Sequence, residues 1–112
     1  MIVTTTENIP GTRVTQTLGQ VFGLTVRTRG LGGNIAAGLR SIVGGEVGSY
    51  VKLLEDARRQ AVDRMVQNAT AMGATAVTMM RFDSSEIGNN MSEIVAYGTA
   101  QVVEPVSGAA AG

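Results

Sequence analysis

Between residues 13 and 29 the chain reads RVTQTLGQVFGLTVRTR. Its apolar residues fall on even positions: Val14, Leu18, Phe22, Leu24 and Val26. Arg13, Thr15, Thr17, Thr25 and Arg27 take odd ones. This period of two predicts a β-strand whose even face is buried and whose odd face is polar. Gly19 and Gly23 interrupt the run and predict a bend or bulge that splits the strand. Upstream, residues 2–5 are short and β-branched, as an edge strand would be, and Pro10-Gly11 marks a turn.

The period changes after residue 29. GLGGN at 30–34 breaks the strand, and residues 35–43 have the pattern of a short helix ending at Gly44-Gly45. Glycine suits a helix terminus because it enters the left-handed region without a Cβ penalty. Residues 46–72 then place Tyr50, Leu53, Leu54, Ala57, Ala61, Met65, Ala69 and Met72 at spacings of three and four. That stripe predicts an amphipathic helix, which Gly73 ends. Two further strands follow at 74–83 and 91–104, with SSEIGNN as the turn of an antiparallel hairpin. Met79 and Met80 are adjacent, as are Val102 and Val103, so both faces of these strands carry apolar residues. One helix cannot cover both faces of a small sheet. The second face is therefore expected to be buried against other subunits. Pro105 ends the last strand, and 105–112 reads as a disordered tail.

Composition narrows the function classes. The chain has 112 residues, one domain by size, and aromatic residues are only 4% of it, so Ala, Val, Leu, Ile and Met must fill the core. The formal net charge is zero, and the charges form no long run, which argues against nucleic-acid and membrane-surface partners. There is no Cys and no His. That removes thiolate and imidazole as metal ligands, the thiol nucleophile and the commonest neutral-pH base. No apolar run approaches the ~20 residues that a bilayer span needs. MIVTTTENIPG lacks the basic and apolar regions of a secretory leader. The expected location is the cytoplasm.

The segments TVRTRGLGGNIAAGLRSIVGGEVGSYVKLLEDAR, MGATAV, RFDSSEI and EIVAYGTA, in this order and spacing, resemble the YbjQ-like family of small bacterial and archaeal proteins without an established function. The resemblance covers residues 1–104. It implies an α+β subunit of β-α-β-β type, with one long helix on a mainly antiparallel sheet, assembling into a ring-shaped homo-oligomer, typically a pentamer. It also carries the description of a heavy-metal-binding protein, which implies no certain cofactor but leaves room for a divalent metal ion.

The candidate chemistry is sparse. Asp83 and Glu86, in DSSE, offer the hard oxygen ligands that Mg²⁺ or Ca²⁺ would take, although Asp and Ser are also ordinary turn residues. Soft or heavy metals prefer the thiolate and imidazole that the chain lacks. Arg13, Arg27 and Arg29 share the odd face of the long strand. Arg is suited to carboxylate and phosphate, so this row is the candidate anion or small-ligand site, sharpest where ring symmetry brings copies together. Gly44 and Gly45 read as a structural turn, because Glu46 follows them and would repel an anion at the helix start. RGLGGN lacks the third glycine of a dinucleotide loop. A Ser nucleophile would have only a carboxylate or the single Lys52 as its base. The expectation is a non-enzymatic, self-associating binding protein. The alternatives are a carboxylate metal site at Asp83 and Glu86, and an enzyme using carboxylate acid–base chemistry.

Overall fold

The computed structural model describes residues 1–28, 48–87 and 91–106. The predicted helix over 35–43, the turn at Gly44 and Gly45, Arg29 and the tail from 107 onward lie outside the described residues. Within them the chain forms β1 (Ile2–Val3), β2 (Thr12–Thr28), α1 (Gly48–Ala71), β3 (Ala76–Ile87) and β4 (Met91–Pro105). The sheet order is β1-β3-β4-β2. β1 is parallel to β3, and the other pairings are antiparallel, so the sheet is mixed. One described helix lies on it, which makes the fold α+β as the pattern predicts. At ~3.3 Å per residue, β2 alone spans about 55 Å, close to the 58 Å long axis of the chain.

β2 is not split. It runs for 17 residues through register shifts between Val14 and Gln16 and between Thr17 and Gly19. Gly19 takes φ +113 at the second shift, so it is a bulge residue, as the sequence suggests. Gly23 is not. Its role is contact: a Cβ there would run into the backbone of α1 at Met65 N and Ala61 O. The helix approaches β2 where there is no side chain. Ala57, Ala61, Met65 and Ala69, at strict intervals of four, form the buried helix face against Val21, Ala96 and Ala100.

This contact reverses the predicted burial of β2. Val21 and Thr25, flanking Gly23 on its own face, are buried under the helix, whereas Phe22 is 50% exposed and Val26 44%. The even face carries the larger apolar residues, but only the odd face admits a helix backbone. The two bulges also shift parity locally. Thr17 pairs with Gln101, on the face opposite the one where Thr25 pairs with Ile94.

Side chains of the helix set its position along β2. Asn68 Nδ2 donates to Phe22 O at 2.8 Å and Arg64 Nη1 to Leu24 O at 2.7 Å, while Arg27 Nη2 donates to Gln60 Oε1 at 3.1 Å. The first two bonds occupy carbonyls on the outer edge of β2, an edge strand, and so blunt it against further pairing. The helix thus runs antiparallel to β2, and its first turns pass the end of the strand. Leu53 and Leu54, predicted to be buried, are exposed for this reason, and so is Met72 at the other end. The helix closes as a Schellman motif: Gly73, at φ +92, donates to Thr70 O and Ala74 N donates to Ala69 O, both at 3.0 Å.

β3 bulges opposite Gly98. Met79 and Met80 stand between the pairs Thr78–Thr99 and Arg81–Tyr97. Met79 has φ 58, unusual for a bulky side chain, and is exposed, while Met80 packs on the core. A Cβ on Gly98 would sit 2.7 Å from Val77 Cγ1 and 2.8 Å from Thr78 O. The amides of Met79 and Met80 donate to Thr6 O and Thr4 O, which hold the N-terminal segment beside β3.

Gly23→Ala is expected to destabilise the fold by about 3 kcal/mol, at the upper end for overpacking, because its Cβ meets backbone that has no rotamer to yield. Chemical denaturation measures it; a loss under ~1 kcal/mol would show that the helix can retreat from β2 without penalty.

Candidate functional site

The register of β4 sorts every candidate residue onto a face. Even positions of β4 (Ile94, Ala96, Gly98, Ala100) lie under the helix with Val21, Gly23 and Thr25. Odd positions lie on the other side. There Phe22, Tyr97 and Arg81 form one cross-strand row, Leu24, Val95 and Asp83 the next, and Val26, Glu93 and Ser85 a third. The β2 and β4 columns are mostly apolar and the β3 column is polar. None of the described elements covers this part of the face, since α1 occupies the other side.

Asp83 and Glu86 do not meet. The predicted turn SSEIGNN is strand as far as Ile87, because Ser84, Ser85 and Glu86 find partners in Ile94, Glu93 and Ser92. Three residues apart on a strand, the two carboxylates point to opposite faces, with Asp83 opposite Val95 and Glu86 opposite Ser92. Asp83 Oδ1 accepts from Ser84 N at 2.9 Å. Arg81, on the same face as Asp83, donates to Thr5 O and Met80 O, both at 2.9 Å.

The arginine row is also dispersed. Arg13 pairs with Glu104 and Arg27 with Ser92, a dozen residues apart along β4, or ~40 Å at ~3.3 Å per residue. Within one chain they cannot hold a common small ligand. Arg13 forms an ion pair with Glu104 at 3.6 Å, with side chains 66% and 56% exposed; such a pair contributes little. Arg27 is partly buried beside α1. Among the described residues it donates to neutral Gln60, and its Nε is buried without a partner, as is the hydroxyl of Thr25 two residues earlier on the same face.

A second feature involves residues that sequence reasoning did not combine. The turn over 7–11 roofs the start of β2 on the face away from the helix and leaves a cavity of 270 Å³. Thr78 and Gln101 contribute to its lining and are joined by Thr78 Oγ1 donating to Gln101 Oε1 at 3.3 Å. Thr78 is 3% exposed. Ile9, Pro10, Val14 and Val103 supply apolar walls, and Glu7 and Arg13 are its ionisable residues. The turn itself is legible from Pro10-Gly11. The cavity is not, because its residues come from positions near 10, 78 and 101.

Among the described residues, a mixed four-stranded sheet with one helix on one face and an apolar patch on the other defines a small α+β domain. The chain belongs to the YbjQ family, whose model, described as "Putative heavy-metal-binding", matches residues 1–104. It is 66% identical over 105 residues to a UPF0145 protein of Bradyrhizobium sp. strain ORS 278, covering 94% of this chain and 95% of that one. It is 58% identical over 106 residues to a UPF0145 protein of Picrophilus torridus, covering 95% and 90%. A crystal structure of a protein of unknown function from Pediococcus pentosaceus, of the DUF74 family, shares the fold at TM-score 0.61 and 10% identity, covering 93% of this chain and 98% of that one.

The family description implies a metal, and the donor set of this chain does not fit a heavy one. Thiolate and imidazole are absent from the sequence. Among the described residues no three Asp or Glu side chains come together, and the two proposed carboxylates are on opposite faces. Asp83→Asn combined with Glu86→Gln is expected to leave divalent-cation uptake, measured by calorimetry, unchanged; a lost binding isotherm would place a shared site there despite the register. Arg27→Met is expected to change the unfolding free energy by less than ~1 kcal/mol, because it removes a partly buried cation that has only a neutral partner. A thermal melt showing a loss equivalent to ~3 kcal/mol or more would reveal a buried carboxylate partner in the assembled protein.

Proposed function

We propose that the protein is a non-enzymatic, homo-oligomeric binding and assembly protein, with five copies in a ring, acting in the cytoplasm. The observation that carries this reading is the bare sheet face. Phe22 and Val26 are roughly half exposed at its centre, with Leu24, Val95 and Tyr97 between and beside them. Each large apolar side chain fully buried stabilises by ~1.5–3 kcal/mol, so leaving several half exposed in water forgoes several kcal/mol in a chain of this size. Contiguous apolar surface of this kind marks an association site. Another copy offers a complementary surface: the polar β3 column with Arg81 and Asp83, and the exposed Leu53 and Leu54 where the helix passes the end of β2. The long, thin shape agrees. The radius of gyration is 18.2 Å, against about 13 Å for a compact domain of this length.

The ring number is the one that the family resemblance implies. Catalysis has no support in the residues present: without His or Cys, acid–base chemistry falls to carboxylates, and the described ones do not converge. Ring symmetry would give the arginines a way to act together, since equivalent Arg13 or Arg27 side chains of neighbouring copies would surround an axis even though they are far apart in one chain.

Native mass spectrometry is expected to give five times the 11.6 kDa chain mass. Phe22→Glu, which puts a charge in the centre of the bare face, is expected to yield smaller species at the same concentration. A wild-type monomer in dilute solution would refute the assembly. An intact ring in Phe22→Glu would move the interface to another surface.

A further inference from the structure

We propose that the cavity beneath the turn over 7–11 is a binding site for a small organic ammonium compound, one with a short hydrocarbon segment and a hydroxyl or amide at its other end. The inference stands on the single chain and does not depend on the ring.

The charges in the lining decide the sign of the ligand. Of Glu7 and Arg13, the arginine is already paired with Glu104, which lies outside the lining. Among the described residues the Glu7 carboxylate has no hydrogen-bond or ion-pair partner. The uncompensated charge at the cavity is therefore one carboxylate, which favours a cation.

The walls decide what kind of cation. A metal ion draws oxygen ligands around itself on all sides. This cavity instead has Ile9, Pro10, Val14 and Val103 in its walls, suited to methylene groups. Its volume, 270 Å³, lies just below the usual range of small-molecule pockets and far above the needs of a bare ion. The polar lining then orients the ligand. Thr78 is buried and donates its proton to Gln101, so its oxygen retains acceptor capacity. The Gln101 amide Nε2 donates to Thr17 Oγ1 at 3.5 Å, a long contact that leaves amide donor capacity for a ligand. A hydroxyl or amide at the far end of the ligand would meet both a donor and an acceptor. The ammonium is placed at Glu7.

The test is a titration of the full chain, in whatever oligomeric state it adopts, with aminobutanol, followed by NMR at the amides of Asn8, Gly11, Thr78 and Gln101. Butanol, butyrate and Ca²⁺ are the comparison probes. The expected result is a saturable shift with aminobutanol at millimolar concentration, the affinity range of about −4 kcal/mol that so small a ligand can reach. Butanol and butyrate are expected to bind at least about tenfold more weakly. Glu7→Gln, a change at an exposed residue without a partner, is expected to weaken aminobutanol about tenfold. Val14→Phe, at an exposed wall position, is expected to abolish the shift by filling the cavity. Equal responses to butyrate, unchanged binding by Glu7→Gln, a shift that never saturates, or saturation by Ca²⁺ without saturation by the amine would each overturn the proposal.

Discussion

The close approach of a helix to a strand at Gly23 is the constraint on which the rest of the arrangement depends. A Cβ there would occupy the space of the helix backbone at Ala61 and Met65. Because the helix can seat only where the strand has no side chain, it chooses the odd face of β2. Its own contact face is correspondingly small, with Ala57, Ala61 and Ala69 around Met65. Close packing of backbone on backbone replaces the large aromatic core that the composition cannot provide. The same seating brings Asn68 and Arg64 within reach of the Phe22 and Leu24 carbonyls, so the contact that builds the core also blunts the exposed edge of the sheet.

The cost of this arrangement appears on the other side. With the helix committed to the odd face, no described element covers Phe22, Leu24 and Val26, and Phe22 and Val26 stay about half exposed. The bare face is thus a consequence of the glycine contact, and self-association is a remedy open to a chain too small to supply a second layer. The bulges in β2 and β3 act at the opposite end of the sheet. The β3 bulge, seated against Gly98, carries the amides that hold Thr4 and Thr6, and the segment anchored there turns to roof the cavity lined by Thr78 and Gln101. The apolar face and the cavity are therefore separated along the long axis of the chain.

Membership of the YbjQ family fixes kinship more firmly than activity. The relatives named above are uncharacterised proteins, and the thiolate and imidazole that a heavy metal favours are absent from this chain. Among the described residues no helix is long and apolar enough to cross a membrane. Among the described residues the features left over from the core are Arg27 beside neutral Gln60, Glu7 at a small cavity, and the half-exposed Phe22 and Val26.

Local sequence determined the elements. Period-two alternation located β2 within a residue at each end, four-residue spacing located α1, and Gly73 marked its close, because these signals arise from backbone geometry that neighbouring residues set among themselves. Local sequence also found Gly19 as a bulge and Asp83 and Glu86 as polar candidates. It did not decide which face of β2 is buried, because that depends on Gly23 meeting Ala61 and Met65, about forty positions away. Nor did it separate Asp83 from Glu86: the turn composition of DSSE pointed one way, and the β4 partners Val95 and Ser92 extended the strand through it. The cavity was beyond local reading altogether, since Glu7, Thr78 and Gln101 have no periodic relation and meet only through the sheet. Local residues set what each segment is; long-range contact set which side of it faces the core.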